Sequence, residues 1–258
     1  MRQIINTRDK KIYYLAGLPR TGNTVLGSIL NQNPKIKVSL NSILVELVWR
    51  LHSIKKDRLF LNVPDHQTVD HIIKKTFEHY YDNTDAEFIF DRGPWGMPIN
   101  LDMLKKYFDP NPKFLILNRP LVEVLASFLK VKKSGTDKDL TDSLMDSKTG
   151  KLKQDMVSSR NIVKSDLPYL KIEYNDLVSD TKKTIEDIYK FFNIPTFEHR
   201  YTDLEQLSYN NVRYDDSVME TPNMHTIRTD KIEKQKLNLE DYFSKETIDK
   251  MKGYNIYA

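Results

Sequence analysis

The chain has no cysteine among its 258 residues. That excludes a disulfide framework, a thiolate zinc site and a cysteine nucleophile. It also has no long apolar run. No stretch approaches the roughly 20 apolar residues that a bilayer span requires. The opening Met1-Arg2-Gln3-Ile4-Ile5-Asn6-Thr7-Arg8 holds no run of signal-peptide length, so a cytoplasmic location is the expectation. Charge of one sign is scarce too: 40 Lys and Arg against 36 Asp and Glu leave +4. This is too little to argue for nucleic acid and enough to suit a small anionic ligand. Lys55-Lys56-Asp57-Arg58 and Lys130–Lys133 read as solvated faces. His66, His71 and His79 fall on one predicted helix without carboxylates at ligand spacing, so no metal site is expected. There is no internal repeat.

What is present is a globular composition, 39% hydrophobic and 29% charged, long enough for one buried core. Strands are predicted at Tyr13–Ala16, Ile36–Val38, Glu87–Phe90, Lys113–Leu117 and Tyr169–Tyr174. Helices are predicted at Asn23–Gln32, Ile43–Ile54, Asp65–Tyr81, Leu101–Phe108, Leu121–Val131 and Asp176–Phe192, with Ser42 and Asp65 as N-caps. Strands alternating with helices imply an α/β fold, a three-layer αβα with a central parallel sheet. The whole chain, 1–258, reads as one domain. Residues 133–151, with Leu140, Leu144 and Met145 as their only apolar side chains, read as a mobile insertion, or else as a lid or acceptor-recognition loop.

The most informative stretch is Ile12–Thr24. An apolar strand feeds Gly17-Leu18-Pro19-Arg20-Thr21-Gly22-Asn23-Thr24, and a helix pattern follows. Backbone N–H groups of such a loop and helix start converge on an anion. The glycine spacing is that of a P-loop, but Asn23 stands where the lysine that reaches a triphosphate would be. The cation sits in mid-loop instead, as Arg20. The loop is therefore read as holding a phosphate other than that of ATP. The other distinctive loops, 91–96, 118–120 and 174–176, also follow strands and should line the same crevice.

Three motifs in order resemble the sulfotransferase family that uses 3′-phosphoadenosine-5′-phosphosulfate (PAPS). Residues 17–24 resemble its 5′-phosphosulfate loop. Arg119-Pro120-Leu121-Val122-Glu123-Val124-Leu125-Ala126-Ser127 resembles its 3′-phosphate motif, an arginine and a serine eight apart. Tyr174-Asn175-Asp176-Leu177 resembles the Tyr-Glu-Asp-Leu whose tyrosine lies by the adenine. His225–Asp230, with Arg228, sits where the family folds a loop over the nucleotide, so 197–258 is expected to close the nucleotide site. The resemblance implies PAPS as donor and 3′-phosphoadenosine-5′-phosphate (PAP) as product. It implies Arg20, Thr21, Gly22, Asn23, Thr24, Arg119, Ser127, Tyr174 and Arg228 as nucleotide-binding residues.

In-line sulfuryl transfer needs positioning, a cation for the charge growing on the leaving phosphate, and a base for the acceptor's proton. Arg20 is expected to supply the cation, and no metal is required. The family's usual bases have no counterpart here. Asp91, at a strand's carboxyl end, leads as the base, and Glu46 is second. His225 is third. The alternative for Asp91 is a buried structural ion pair. The acceptor is expected to be a hydroxyl on a small molecule, glycan or peptide, with an amine as the second choice and no nucleic-acid partner. A kinase-like P-loop enzyme and an inactive nucleotide-binding member are the competing readings.

Overall fold

The computed structural model describes residues 10–131, 137–146, 148, 150–209, 212–219, 224–252 and 257. Five strands, Lys11–Gly17 (β1), Ile36–Ser39 (β2), Phe88–Arg92 (β3), Phe114–Asn118 (β4) and Tyr169–Glu173 (β5), pair in the order β2-β3-β1-β4-β5. Every pairing is parallel. β1 is central, and the chain moves to one side of it for β2 and β3 and to the other for β4 and β5. The switch point between β1 and β4 is where such a sheet opens a crevice at its carboxyl end.

Strand alternation sorts the core into two layers. Tyr13, Leu15, Phe88, Phe90, Leu115 and Leu117 face helices Asn23–Leu30 (α1) and Thr181–Phe192 (α10), through Leu26, Ile29, Ile185, Ile188 and Phe192. Tyr14, Ala16, Ile89, Phe114 and Ile116 face Leu44–Ser53 (α2), Gln67–His79 (α4), Pro98–Tyr107 (α5) and Lys151–Val163 (α8). A third cluster gathers Leu18 with Leu121, Leu125 and Phe128 of Leu121–Val131 (α6) and with Leu152 and Met156 of α8. This cluster anchors the start of the loop after β1.

Element boundaries depart from the sequence expectation where local hydrogen bonds decide. Asp65 Oδ1 accepts from the amides of Gln67 and Thr68, and helical structure begins at Gln67. The helix expected over 176–192 is two, Tyr174–Ser179 (α9) and α10. They break at Asp180, whose backbone leaves helical geometry and whose carboxylate accepts from the Lys183 amide. A short helix at Arg58–Asn62 (α3) and the long α8 carry too weak an apolar stripe to be read from the sequence. The segment expected as an insertion holds a helix, Asp137–Met145 (α7), whose Leu144 and Met145 pack on the third cluster. Residues 133–136, 147 and 149 lie outside the described residues. After α10 come a two-stranded ribbon, Ser208–Tyr209 (β6) with Val212–Arg213 (β7), and a last helix, Lys245–Lys252 (α11). Among the described residues no helix is long and apolar enough to cross a membrane.

Candidate active site

The site begins with two glycines that no other residue could replace. Gly17, the last residue of β1, has φ +109°, and a Cβ there would lie 2.2 Å from the Leu117 carbonyl oxygen. The loop can therefore turn only at glycine. Gly22, φ +93°, is the N-cap of α1, with Tyr174 and Leu177 against its Cα. Between them Arg20 holds a left-handed backbone, φ 64°, uncommon for a residue with a side chain. The loop braces itself from within: the Thr21 hydroxyl and the Asn23 amide both donate to the Leu18 carbonyl, and Asn23 also donates to Thr21 Oγ1. Those side chains are thus used inside the loop. What remains for a ligand at 21–24 is the first-turn amides of α1, a turn with no acidic side chain.

The strand end of β4 delivers the second cation. Arg119 is 2% exposed, and three contacts fix it. Its Nε donates to Glu123 Oε2 at 2.9 Å, its Nη1 donates to the Arg20 carbonyl at 2.9 Å, and its guanidinium lies 4.2 Å from the Tyr174 ring centroid. Its Nη2 is buried and has no partner among the described residues. A buried, unpaired guanidinium N–H is costly unless an anion completes it. Arg20 Nε in turn donates to Ser127 Oγ at 3.1 Å, and Ser127 donates to Gln235 Oε1 at 3.3 Å. The Gln235 amide donates to the Tyr174 hydroxyl at 3.1 Å. Tyr174 is therefore occupied on one ring face by Arg119 and at its hydroxyl by the C-terminal segment.

These residues line a cleft of about 600 Å³ at the carboxyl end of the sheet. Its wall carries seven cations (Arg20, Arg92, Arg119, Lys130, Arg228, Lys231 and Lys236) against one carboxylate, Glu233. Burial, and next the facing charge of Arg119, pull the Arg20 guanidinium below its ordinary value. Two buried guanidiniums that repel one another form a site that a polyanion relieves. Arg228 is held at Glu233 by its Nη1, at 2.6 Å, and by its Nη2 on the Glu233 carbonyl, at 3.1 Å.

The leading base expectations land elsewhere. Asp91 does not face the crevice. Its place on β3 turns it into the second core layer beside Tyr14 and Trp95, fully buried. Its carboxylate accepts from Tyr81 Oη and, at 2.7 Å, from Trp95 Nε1. The partner expected for it, Arg92, points to the opposite face and lines the cleft, its Nη2 3.4 Å from the Gly17 carbonyl oxygen. Glu46 lies on the exposed face of α2, paired with Arg50 at 2.6 Å, and is not in the cleft wall. His225 is in the wall, with Asp216 on its ring. Asp216 was not visible as a site residue, because nine residues of irregular chain separate it from the histidine and no periodicity marks the pair.

A parallel αβα sheet with a glycine-bounded anion loop after its first strand defines a phosphate-binding α/β protein. The sulfotransferase family model matches residues 14–199, and the chain belongs to that family. No curated protein sequence matches the chain. Among solved structures it is similar to the sulfotransferase domain of the Synechococcus PCC 7002 olefin synthase, at 17% identity and a TM-score of 0.46, over 96% of this chain and 86% of that one. It is also similar to the sulfotransferase domain of the curacin biosynthetic pathway, at 16% identity and a TM-score of 0.47, over 73% and 75%. Sulfotransferase STF9 from Mycobacterium avium matches at 13% identity and a TM-score of 0.42, over 72% and 64%.

Proposed function

We propose that the chain transfers a sulfuryl group from PAPS to a hydroxyl acceptor. The observation that carries this reading is the second arginine. A 5′-phosphate alone needs the loop and Arg20. Arg119, held rigidly by Glu123, the Arg20 carbonyl and Tyr174 with Nη2 left buried and unpaired, calls for a further anionic group. The 3′-phosphate of PAPS is such a group, and Ser127 stands beside it through Arg20.

The donor supplies an activated sulfuryl group on a 5′-phosphate. The protein's part is to fix that phosphate on the amides of residues 21–24 and to set Arg20 against the charge that grows as the phosphate leaves. The cationic wall favours the whole polyanion. The kinase reading loses its support at Asn23, whose amide is spent on Leu18 and Thr21 and cannot replace a lysine on a triphosphate.

Calorimetric titration with PAP and with adenosine 5′-phosphate tests the reading. A charge-assisted Arg–phosphate contact contributes on the order of 1.5–3 kcal/mol, so PAP should bind roughly ten- to a hundredfold more tightly. Equal affinity for the two nucleotides sinks the assignment of Arg119.

A further inference from the structure

The cleft wall contains one residue able to take a proton near neutrality that the nucleotide assignments leave unused. His225 is largely buried, and its ring stacks on Tyr214 at 4.3 Å between centroids and 19° between planes. Its Nδ1 lies 2.5 Å from Asp216 Oδ1, and its backbone amide donates to Asp216 Oδ2 at 2.8 Å. A carboxylate can only accept, so the proton of this contact sits on Nδ1 and Nε2 keeps its lone pair. No hydrogen bond to Nε2 is found among the described residues. Tyr214 fixes the platform from below, its hydroxyl meeting the backbone of Leu40 and Asn41 just after β2. Leu40 lines the same cleft, and Asp216 is close enough to Arg20 to act on its charge.

Resting on the sulfotransferase reading, we infer that His225 is the base that accepts the acceptor's proton, and that Asp216 is the residue that positions it. The acceptor hydroxyl oxygen forms the new S–O bond. The S–O bond to the 5′-phosphate oxygen breaks and leaves its electron pair on that oxygen. The hydroxyl proton passes to Nε2, giving an imidazolium that Asp216 stabilises. The base thus comes from the irregular chain after β7, on the side of the cleft where β2 ends. The groups facing the imidazole are Asp216 and Tyr214 from its own segment and Arg20 from the loop after β1. The other charged groups of the wall are arginines, lysines and Glu233, which Arg228 and Lys231 hold.

The test uses the full chain with PAPS and a series of acceptors, from an acidic phenol to an alkyl alcohol. His225→Gln should lower turnover by roughly 10²–10⁴-fold with the alcohol and far less with the acidic phenol, which needs no base. PAP affinity should be unchanged, which shows that the variant is folded. Asp216→Asn should lower turnover by a smaller factor and change the acid limb of the pH profile, which His225→Gln should abolish. An equal loss with every acceptor, or none, overturns the assignment while leaving the donor reading intact. That reading fails separately, if the wild type binds PAP no better than adenosine 5′-phosphate. Imidazole ¹⁵N shifts test the pair without turnover: the Nδ1–H tautomer supports it, and an Nε2–H tautomer overturns it.

Discussion

Arg20 Nε donates to Ser127 Oγ across 3.1 Å, although 107 residues separate them. The bond ties the tip of the anion loop to the second turn of α6. The Arg119 bond to the Arg20 carbonyl closes the same circuit from the strand end. Both cations are therefore held in place before any anion arrives, which cuts the ordering cost of binding.

Ser127→Ala opens that circuit while leaving both guanidiniums in place. A single neutral hydrogen bond is worth about 0.5–1.5 kcal/mol. PAP affinity should fall by roughly two- to twelvefold, as calorimetry reads it, and adenosine 5′-phosphate should be affected less. A loss equal for both nucleotides would show that Ser127 serves only the Arg20 side.

Arg119→Lys keeps the charge and loses the fork. The guanidinium makes two directed hydrogen bonds and lies over Tyr174, and an ammonium on a flexible stem reproduces none of that geometry. The preference for PAP over adenosine 5′-phosphate should largely vanish, with a fall in PAP affinity of about 1.5–3 kcal/mol. Retention of the preference by the lysine variant would mean that charge alone suffices.

Much of this was legible in the sequence, for physical reasons that can be named. The four apolar residues Phe114–Leu117 announce a strand buried on both faces, and β4 is that strand. Gly17 and Gly22 mark backbone conformations that only glycine takes easily, and the loop stands between them. Arg119 and Ser127 are both found at the cleft, joined through Arg20. What was not legible depends on long-range packing. Asp91 and Arg92 are neighbours on one strand, and alternation sends one into the core and the other to the cleft. Pairing α8 with β1, or Asp216 with His225, needs contacts that no local pattern encodes.

Arg20→Ala should act on turnover more than on binding. The guanidinium is assigned to charge that appears as the phosphate leaves, so its loss belongs to the transition state. A fall of roughly 10²–10³ in turnover, with a much smaller change in PAP affinity, is the expected result. A variant that turns over normally and merely binds weakly would make Arg20 an anchor.

Transfer should survive chelation of divalent metals. Asn23 replaces the P-loop lysine, and no group of three or more metal-ligating side chains is found among the described residues. Turnover in EDTA should match turnover in buffer. Loss in EDTA restored by magnesium would revive the kinase-like reading.

Asp91→Asn should leave turnover near the wild-type level and alter stability instead. Its carboxylate is sealed from the cleft behind β3 and bound by Tyr81 and Trp95. Burial raises its pKa above the ordinary 3.8, and the donors Ser42, Tyr81 and Trp95 only partly oppose this. The folded state thus holds the proton more tightly than the unfolded chain, and that contribution is complete below pH 3.8. It is lost as pH rises through the raised folded-state value. Asparagine cannot titrate, so the wild-type Tm minus the variant Tm should be largest in acid and shrink as pH climbs. Thermal unfolding of both proteins across the acid range measures it. A difference that grows with pH would mean that the hydrogen bonds outweigh burial at Asp91. A turnover loss of 10²–10⁴ in a fully folded variant would instead return Asp91 to the chemistry.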